Sequence, residues 1–380
     1  MNKQLRPALL FLALLIGIGV DAQLKSLPPS GANQKSMVKQ YIGGVAWVKI
    51  NYGSPDVAGR EGQIWGQLVP YGKSNLGFGA SSADNPSPWR AGANENTVFE
   101  ISHDALIQGK ELPAGRYGLF VEPQESGPWT VIFSKEADAW GSFFYKPEDE
   151  VLVVEATPGD LDTSVEYLTY DFVNRLNDQT TVQMKWEKKV LPFTVEIKGA
   201  NEVTLAALTS ELKDSPGFTF SNWVNAANWA SGAGYHEEAE LWAENAISLP
   251  FIGQRNFLTL STKATVLRNA GKTEEANQVM DEAVELPGAP AFQVHAYGRQ
   301  LIASGDKEKA LEIFKVNHKK NNGTWPTCYG LARGYSAVGD YKNAIKYLKL
   351  AKANVPANDT VNGPIIDANI EKLKKGEDIN

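Results

Sequence analysis

The sequence predicts a two-domain α+β protein: an N-terminal antiparallel β-sandwich, jelly-roll-like, and a C-terminal α-α superhelical repeat array. Three observations carry that reading. From Gly44 to Lys198 apolar and polar residues alternate with period two, as in Ala46, Val48, Ile50 and Tyr52 against Trp47, Lys49 and Asn51. In the back half four glycines recur, Gly234, Gly271, Gly305 and Gly339, at gaps of 37, 34 and 34 residues. An alanine follows each glycine at five residues: Ala239, Ala276, Ala310 and Ala344.

The domain plan follows from these boundaries: a signal peptide over 1–22, an all-β domain over 23–198, a linker helix over 199–219, and repeats with a capping helix over 220–380. Lys3 and Arg6 precede an apolar stretch from Ala8 to Val20, the length of a signal h-region and short for a bilayer span. Val20-Asp21-Ala22 places small residues at the peptidase positions, so cleavage is expected after Ala22, with Gln23 as the mature N-terminus and the protein exported to the periplasm or beyond. Removing Lys3, Arg6 and Asp21 takes the formal charge from −7 to −8. An acidic chain argues against non-specific nucleic-acid binding, which needs cations on phosphates. No other apolar run is long enough to span a membrane after signal cleavage. Cys328 is the sole cysteine, so no intramolecular disulfide forms, and it reads as a small buried hydrophobe.

Aligning the back half on its glycines gives units near 220–253, 257–290, 291–324 and 325–358. Seven residues before each glycine stands a small residue, Ala227, Ala264, Gly298 or Ala332, which lets two helices approach. The glycine ends the first helix in a left-handed conformation. Four residues past each alanine, Met280, Phe314 and Leu348 fill the space between layers, with Ala243 beside Trp242 in the first unit. Leu205, Leu208 and Leu212 share one face of the linker helix, and Ile366, Ile370 and Leu373 one face of the cap. The segments Ala270-Gly271-Lys272-Thr273-Glu274-Glu275-Ala276, Ser304 to Ala310 and Val338 to Ala344 resemble tetratricopeptide repeats, over about 140 residues. Such an array curls so that its first helices line a groove. Residues six before each glycine, Asn228, Thr265, Arg299 and Arg333, are expected to face it, with Val224, Ser261, His295 and Tyr329 one turn earlier and Arg268 nearby. Converging arginines suit an acidic peptide or a C-terminal carboxylate; a solvated helix face with local salt bridges is the plainer alternative.

In the front half, further strands are expected at Thr97–Ile101, Tyr117–Val121, Trp129–Phe133, Val151–Ala156, Val165–Phe172, Val182–Trp186 and Phe193–Ile197, separated by turn signals at 109–110, 113–115, 126–128 and 158–160. The densest motif, Trp89-Arg90-Ala91-Gly92-Ala93-Asn94-Glu95-Asn96-Thr97, follows a loop over 72–88 rich in Gly, Ser, Asn and Pro. With Gly59-Arg60, Ile64 to Gly72, Leu112 to Phe120, Trp129 to Ile132 and Trp140-Gly141, it resembles an exported bacterial family known as domain-of-unknown-function family 2911, over roughly residues 30–190. That resemblance implies a domain but no reaction, substrate or catalytic residue.

The motif itself admits two readings. Arg90 pairs with Glu95 or a nearby carboxylate, Gly92 permits a tight turn, Asn94 bonds to backbone, and Trp65, Trp89 and Trp129 fill the core. Alternatively Trp89, Arg90, Asn94 and Glu95 line a pocket that holds a sugar or an anion. A carboxylate-dependent hydrolase would pair Glu95 with Glu100 or Asp104. The sequence indicates no cofactor: Gly77 to Ser82 lacks the third glycine and the flanking elements of a dinucleotide loop. The histidines lack zinc spacing, Glu148-Asp149-Glu150 lacks the ligands for calcium, and His103 reads as a turn residue. The function expected is a non-catalytic protein–protein interaction scaffold of the cell envelope, with a ligand-binding module, foremost for carbohydrate, and a hydrolase as alternatives.

Overall fold

In the computed structural model, which describes residues 33–380, the chain divides into two compact units after Ala200. The signal peptide expected over 1–22 lies outside the described residues. In the first unit β1 (Gln34–Ile42), β2 (Ala46–Ser54), β3 (Thr97–Ile101), β4 (Ala105–Ile107), β5 (Lys110–Leu112), β6 (Gly115–Glu122), β7 (Trp129–Ser134), β8 (Glu150–Ala156), β9 (Gly159–Val173) and β10 (Gln179–Ile197) build two antiparallel sheets. Their orders are β1-β2-β3-β6-β7-β8 and β5-β4-β10-β9. Most neighbours are joined by hairpins; the chain changes sheet around the β4–β5 hairpin and again between β8 and β9. This is a meander with one excursion, in place of the interleaved order of a jelly roll.

The period-two pattern explains the packing. Ala46, Val48, Ile50 and Tyr52 all point inward and are buried. Across the two sheets Phe99 and Phe133 meet Phe193 at ring centroid distances of 6.4 and 6.1 Å, and Tyr52 meets Tyr170 at 4.8 Å. The strands expected at Val182–Trp186 and Phe193–Ile197 are one strand. Its register against β9 shifts around Glu187, whose φ is 51°, and this bulge breaks the alternation that would have joined them. Glu187 is buried and accepts from the Gly62 amide at 3.1 Å, so the bulge also anchors the turn before Trp65.

In the second unit α1 (Ala200–Glu211) packs through Leu205 and Leu208, with Leu212 just beyond it, into one apolar cluster with Trp223 and Ala227. Four helical hairpins follow: α2 (Phe220–Gly232) with α3 (His236–Ser248), α4 (Phe257–Asn269) with α5 (Thr273–Glu285), α6 (Ala291–Ser304) with α7 (Lys307–Lys320), and α8 (Trp325–Ala337) with α9 (Tyr341–Asn354). The cap α10 (Asn362–Lys374) buries Ile366, Ile370 and Leu373 against α8 and α9.

The four recurring glycines have φ of 89°, 80°, 94° and 80°. The residue after each donates its amide to the carbonyl five positions before it, Tyr235 to Ala230, Lys272 to Leu267, Asp306 to Leu301 and Asp340 to Tyr335, at 2.9 Å in all four. This is a Schellman closure, and open space surrounds each glycine, so the requirement is backbone conformation alone. Ala227, Ala264 and Ala332 and the four alanines that follow the glycines are fully buried. In the third hairpin the small residue is Gly298, and here space does decide. Phe314 on α7 is completely buried, and a Cβ on Gly298, Gly330 or Gly334 would lie 2.6, 3.0 or 2.9 Å from its ring. His295 meets the same ring edge-on at 5.4 Å.

Two expected outcomes follow from this packing. Helix propensity alone would make Gly298→Ala favourable by about 1 kcal/mol, but overpacking against Phe314 costs about 1–3 kcal/mol. Gly298→Ala should therefore lower the urea midpoint, and adding Phe314→Leu should recover part of the loss. Gly305→Ala should cost about 1–2 kcal/mol through its left-handed backbone, with no recovery from Phe314→Leu. The second outcome concerns pH. Burial, then the charges of Arg333 and Arg299, push His295 down to about 4. Its unfolded value is about 6.5, so the unfolded chain takes up the proton first. Stability from this group is complete above that value and is lost as pH falls toward 4. Urea titrations at pH 7 and 4.5 should show a smaller drop in His295→Gln than in the parent; an equal drop would refute the assignment.

Candidate functional site

The loop from Trp89 to Asn96 is held by backbone contacts at both ends. Trp89 exchanges hydrogen bonds with Val121 of β6 at 3.0 and 2.8 Å, and the Ala93 amide donates to Gly53 of β2 at 3.1 Å. A Cβ on Gly53 would sit 2.1 Å from the Ala93 carbonyl oxygen, so β2 must carry glycine there for the loop to approach. The left-handed residues of the loop are Ala91 (φ 52°) and Asn94 (φ 63°). Gly92, expected to permit a tight turn, serves close packing instead: a Cβ there would meet Thr97 Oγ1 at 2.6 Å. The Ala91 carbonyl, receiving Thr97 Oγ1 at 3.0 Å and Tyr170 Oη at 2.8 Å, pays for the strained φ at that residue.

Side chains of the motif part company. Trp65 lies at the centre of a tryptophan cluster, 5.6 Å from Trp89, 4.8 Å from Trp129 and 5.8 Å from Trp186, while Trp89 stacks on Trp186 at 6.0 Å. Trp129 and Trp186 are buried; Trp65 and Trp89 are half-buried. Trp89 and Arg90 line a cavity of about 310 Å³ together with Val69, Ser74, Ser87 and Trp186. Its outer wall is the 72–88 loop, pinned by reciprocal Ser74–Ser87 backbone bonds of 2.9 Å and by Lys73 Nζ donating to the Tyr145 hydroxyl at 3.0 Å. Burial drives the Tyr145 hydroxyl far above its ordinary range, and its hydrogen bond to Glu150 adds to this.

Arg90 does not pair with Glu95. Glu95 turns to Lys35 of β1 at 2.5 Å and borders a separate hollow with Asn51 and Tyr52. Burial pushes its carboxyl up, but the Lys35 hydrogen bond and charge outweigh that and hold it below the usual range. The other acids are also engaged: Glu100 with Lys49 at 2.7 Å and Asn51 at 3.2 Å, and Asp104 with the Ala114 amide at 2.8 Å. No hydrogen bond of the Asn94 side chain is seen among the described residues; its role is the left-handed turn. His103 shares a 2.9 Å hydrogen bond with Ser102 in the turn after β3.

The repeat residues divide likewise. Asn228 on α2 and Arg299 on α6 are exposed. Arg268 is built into the fold, bonding Asn277 Oδ1 at 3.3 Å and, with the Gln300 amide turned so that its oxygen faces the guanidinium, that oxygen at 3.1 and 3.3 Å, which ties α4 to α5 and α6. His295 packs against Phe314. The Tyr329 hydroxyl accepts from Asn369 of α10 at 2.8 Å. Arg333 lies over the Tyr329 ring at 5.2 Å and bonds Asn380 Oδ1 at 3.3 Å. Ser336 donates to Asp378 at 2.6 Å and accepts from the Ile379 amide at 3.2 Å, and Ile379 is buried. Residues 378–380 thus occupy α8 at the register that Asn228, Thr265 and Arg299 present elsewhere. Cys328 is buried, burial raises its thiol, and it contacts the Gly323 carbonyl at 3.2 Å.

Sequence reasoning missed Ser87 and Trp186 as cavity residues. Trp186 sits just before the bulge, and its indole on a strand flanked by charged residues was the available signal. Ser87 had none. Among the described residues no group of three or more His, Cys, Asp or Glu could hold a metal ion, and no helix is long and apolar enough to cross a membrane.

No protein of curated function matches this chain. Solved structures similar to the helical part include YrrB, "a TPR protein with an unusual peptide-binding site", at 20% identity, covering 45% of this chain and 83% of that one with a TM-score of 0.31. A thermophilic TPR protein of Thermus thermophilus, TTC0263, is similar at 15% identity over 47% of this chain and 92% of its own, TM-score 0.30. A tetratricopeptide repeat protein from Parabacteroides merdae is similar at 16% identity over 47% and 67%, TM-score 0.33. The β unit carries the family match: residues 33–195, which run from the start of β1 almost to the end of β10, match the family described as "Protein of unknown function (DUF2911)".

Proposed function

We propose that this is an exported, non-catalytic scaffold of the cell envelope, whose repeat unit captures a protein or peptide partner on the face carried by α2, α4, α6 and α8. The observation that carries this reading is the seating of residues 378–380 on α8. Arg333, which lies over the Tyr329 ring, and Ser336 accommodate a segment that offers a carboxylate, an apolar side chain and an amide in succession. Asn228, Thr265 and Arg299 stand at the register of Arg333 in the other hairpins and are exposed. Stacked hairpins leave such a face for an extended partner, and the Arg299 fork selects one bearing carboxylates. The separate engagements of Glu95, Glu100 and Asp104 favour this reading over a hydrolase. A small-ligand module in the β unit is the second reading, favoured by the Arg90 cavity.

A photo-crosslinking residue placed at Asn228, Thr265 or Arg299 should yield the same dominant crosslinked partner in cells. The same residue at Lys346 or Lys349 of α9, which are exposed on the second helix of a hairpin, should not. Equal crosslinking from both sets would refute the face assignment. Export rests on Lys3, Arg6 and the apolar run from Ala8 to Val20. Intact-mass analysis of the protein recovered from the cell exterior or periplasm should show Gln23 as its first residue; retention of residues 1–22 would overturn the cleavage assignment.

A further inference from the structure

The β-unit cavity has an unusual charge inventory. Among the described residues two arginines, Arg60 and Arg90, border it and no aspartate or glutamate does, in a chain whose formal net charge is −7. Arg60 is neutralised by Asp56 at 3.1 Å. Arg90 makes no hydrogen bond or ion pair with any described residue, and its Nε is shut off from water without an acceptor. A guanidinium sunk into a protein without a counter-charge costs several kcal/mol by rough estimate, and burial lowers its proton affinity accordingly. Two residues of the lining carry further polar atoms without a partner among the described residues, the Ser87 hydroxyl and the Trp186 indole N–H, both closed off behind the cavity surface. One unpaired cation therefore borders a space walled by the stacked Trp89 and Trp186 and by Val69.

We propose that this cavity binds a small carboxylate with a ring or short apolar body, held by the Arg90 fork and laid against Trp89. The class follows from matching. A planar guanidinium pairs a planar carboxylate through two parallel hydrogen bonds, and one unpaired cation balances one negative charge where a phosphate dianion would leave a surplus. The apolar and indole walls receive the body of the ligand, and a volume of about 310 Å³ is at the small end of ligand sites. The inference rests on the small-ligand reading of this site and replaces its carbohydrate with an organic acid.

The test uses the mature protein and defined probes: benzoate, phenylacetate and hexanoate, each against its primary amide, with inorganic phosphate and glucose as further arms. At least one carboxylate should bind saturably by calorimetry, quench tryptophan fluorescence and raise Tm, while its amide, phosphate and glucose do not. Arg90→Lys, which keeps the charge but loses the fork, should weaken that binding at least tenfold, and Arg90→Met should abolish it. Arg90→Met should also leave the ligand-free Tm unchanged or raised, because an unpaired charge is removed. A lowered Tm with no carboxylate bound to the parent would make Arg90 structural and overturn the proposal. Glucose binding that survives Arg90→Met would refute the carboxylate and keep a small-ligand site. Silence from every probe would reject both.

Discussion

The Ala93 carbonyl presses on Gly53 so closely that a methyl group there would overlap it at 2.1 Å. The candidate site in the β unit depends on this contact. With the loop seated on β2, Ala91 must turn left-handed, and the two hydrogen bonds on its carbonyl hold it there. That turn separates Trp89 and Arg90, which line the cavity, from Glu95, which pairs with Lys35 of β1. A side chain at position 53 would push the loop off the sheet. The arrangement is one of backbone against backbone, and so the pocket is set by the sheet rather than by the side chains that line it.

Local constraints were legible in the sequence because they act over a few residues. The glycine that closes each first helix needs a left-handed φ, and five residues later the second helix makes its nearest approach, so both leave a fixed spacing. Period-two alternation marked β2, β3 and β6 to β9 for the same reason. What was not legible depends on partners far apart along the chain. Glu95 meets Lys35 and not Arg90, a choice made by the register of β1 on β2. The single strand β10 reads as two because a bulge at Glu187 shifts its phase. Arg268 and Arg333 sit at helix positions that face outward by spacing alone, yet Gln300 and residues 378–380 reach them from other elements. Helix periodicity assigns a face, and it is silent on what covers that face.

The two arginine environments that remain differ in a way that bears on function. Arg299 is exposed, so its charge is solvated and costs little in the absence of a partner; it can steer an acidic segment and then release it. Arg90 is half-buried beside Trp89 and Trp186, where water compensates its charge poorly and an ion pair is less screened than at the surface. An exposed cation on a helical face suits reversible capture of a chain, which makes many weak contacts. A sheltered cation in a cavity suits a small ligand, which must gain its affinity from few. The acidic surface sharpens this contrast, since a free anion is repelled by the protein at large and gains attraction only at positions where a cation stands without its counter-ion. On the two proposed readings one unit offers breadth of contact and the other a single strong one, and the difference lies in burial, with the same guanidinium serving both.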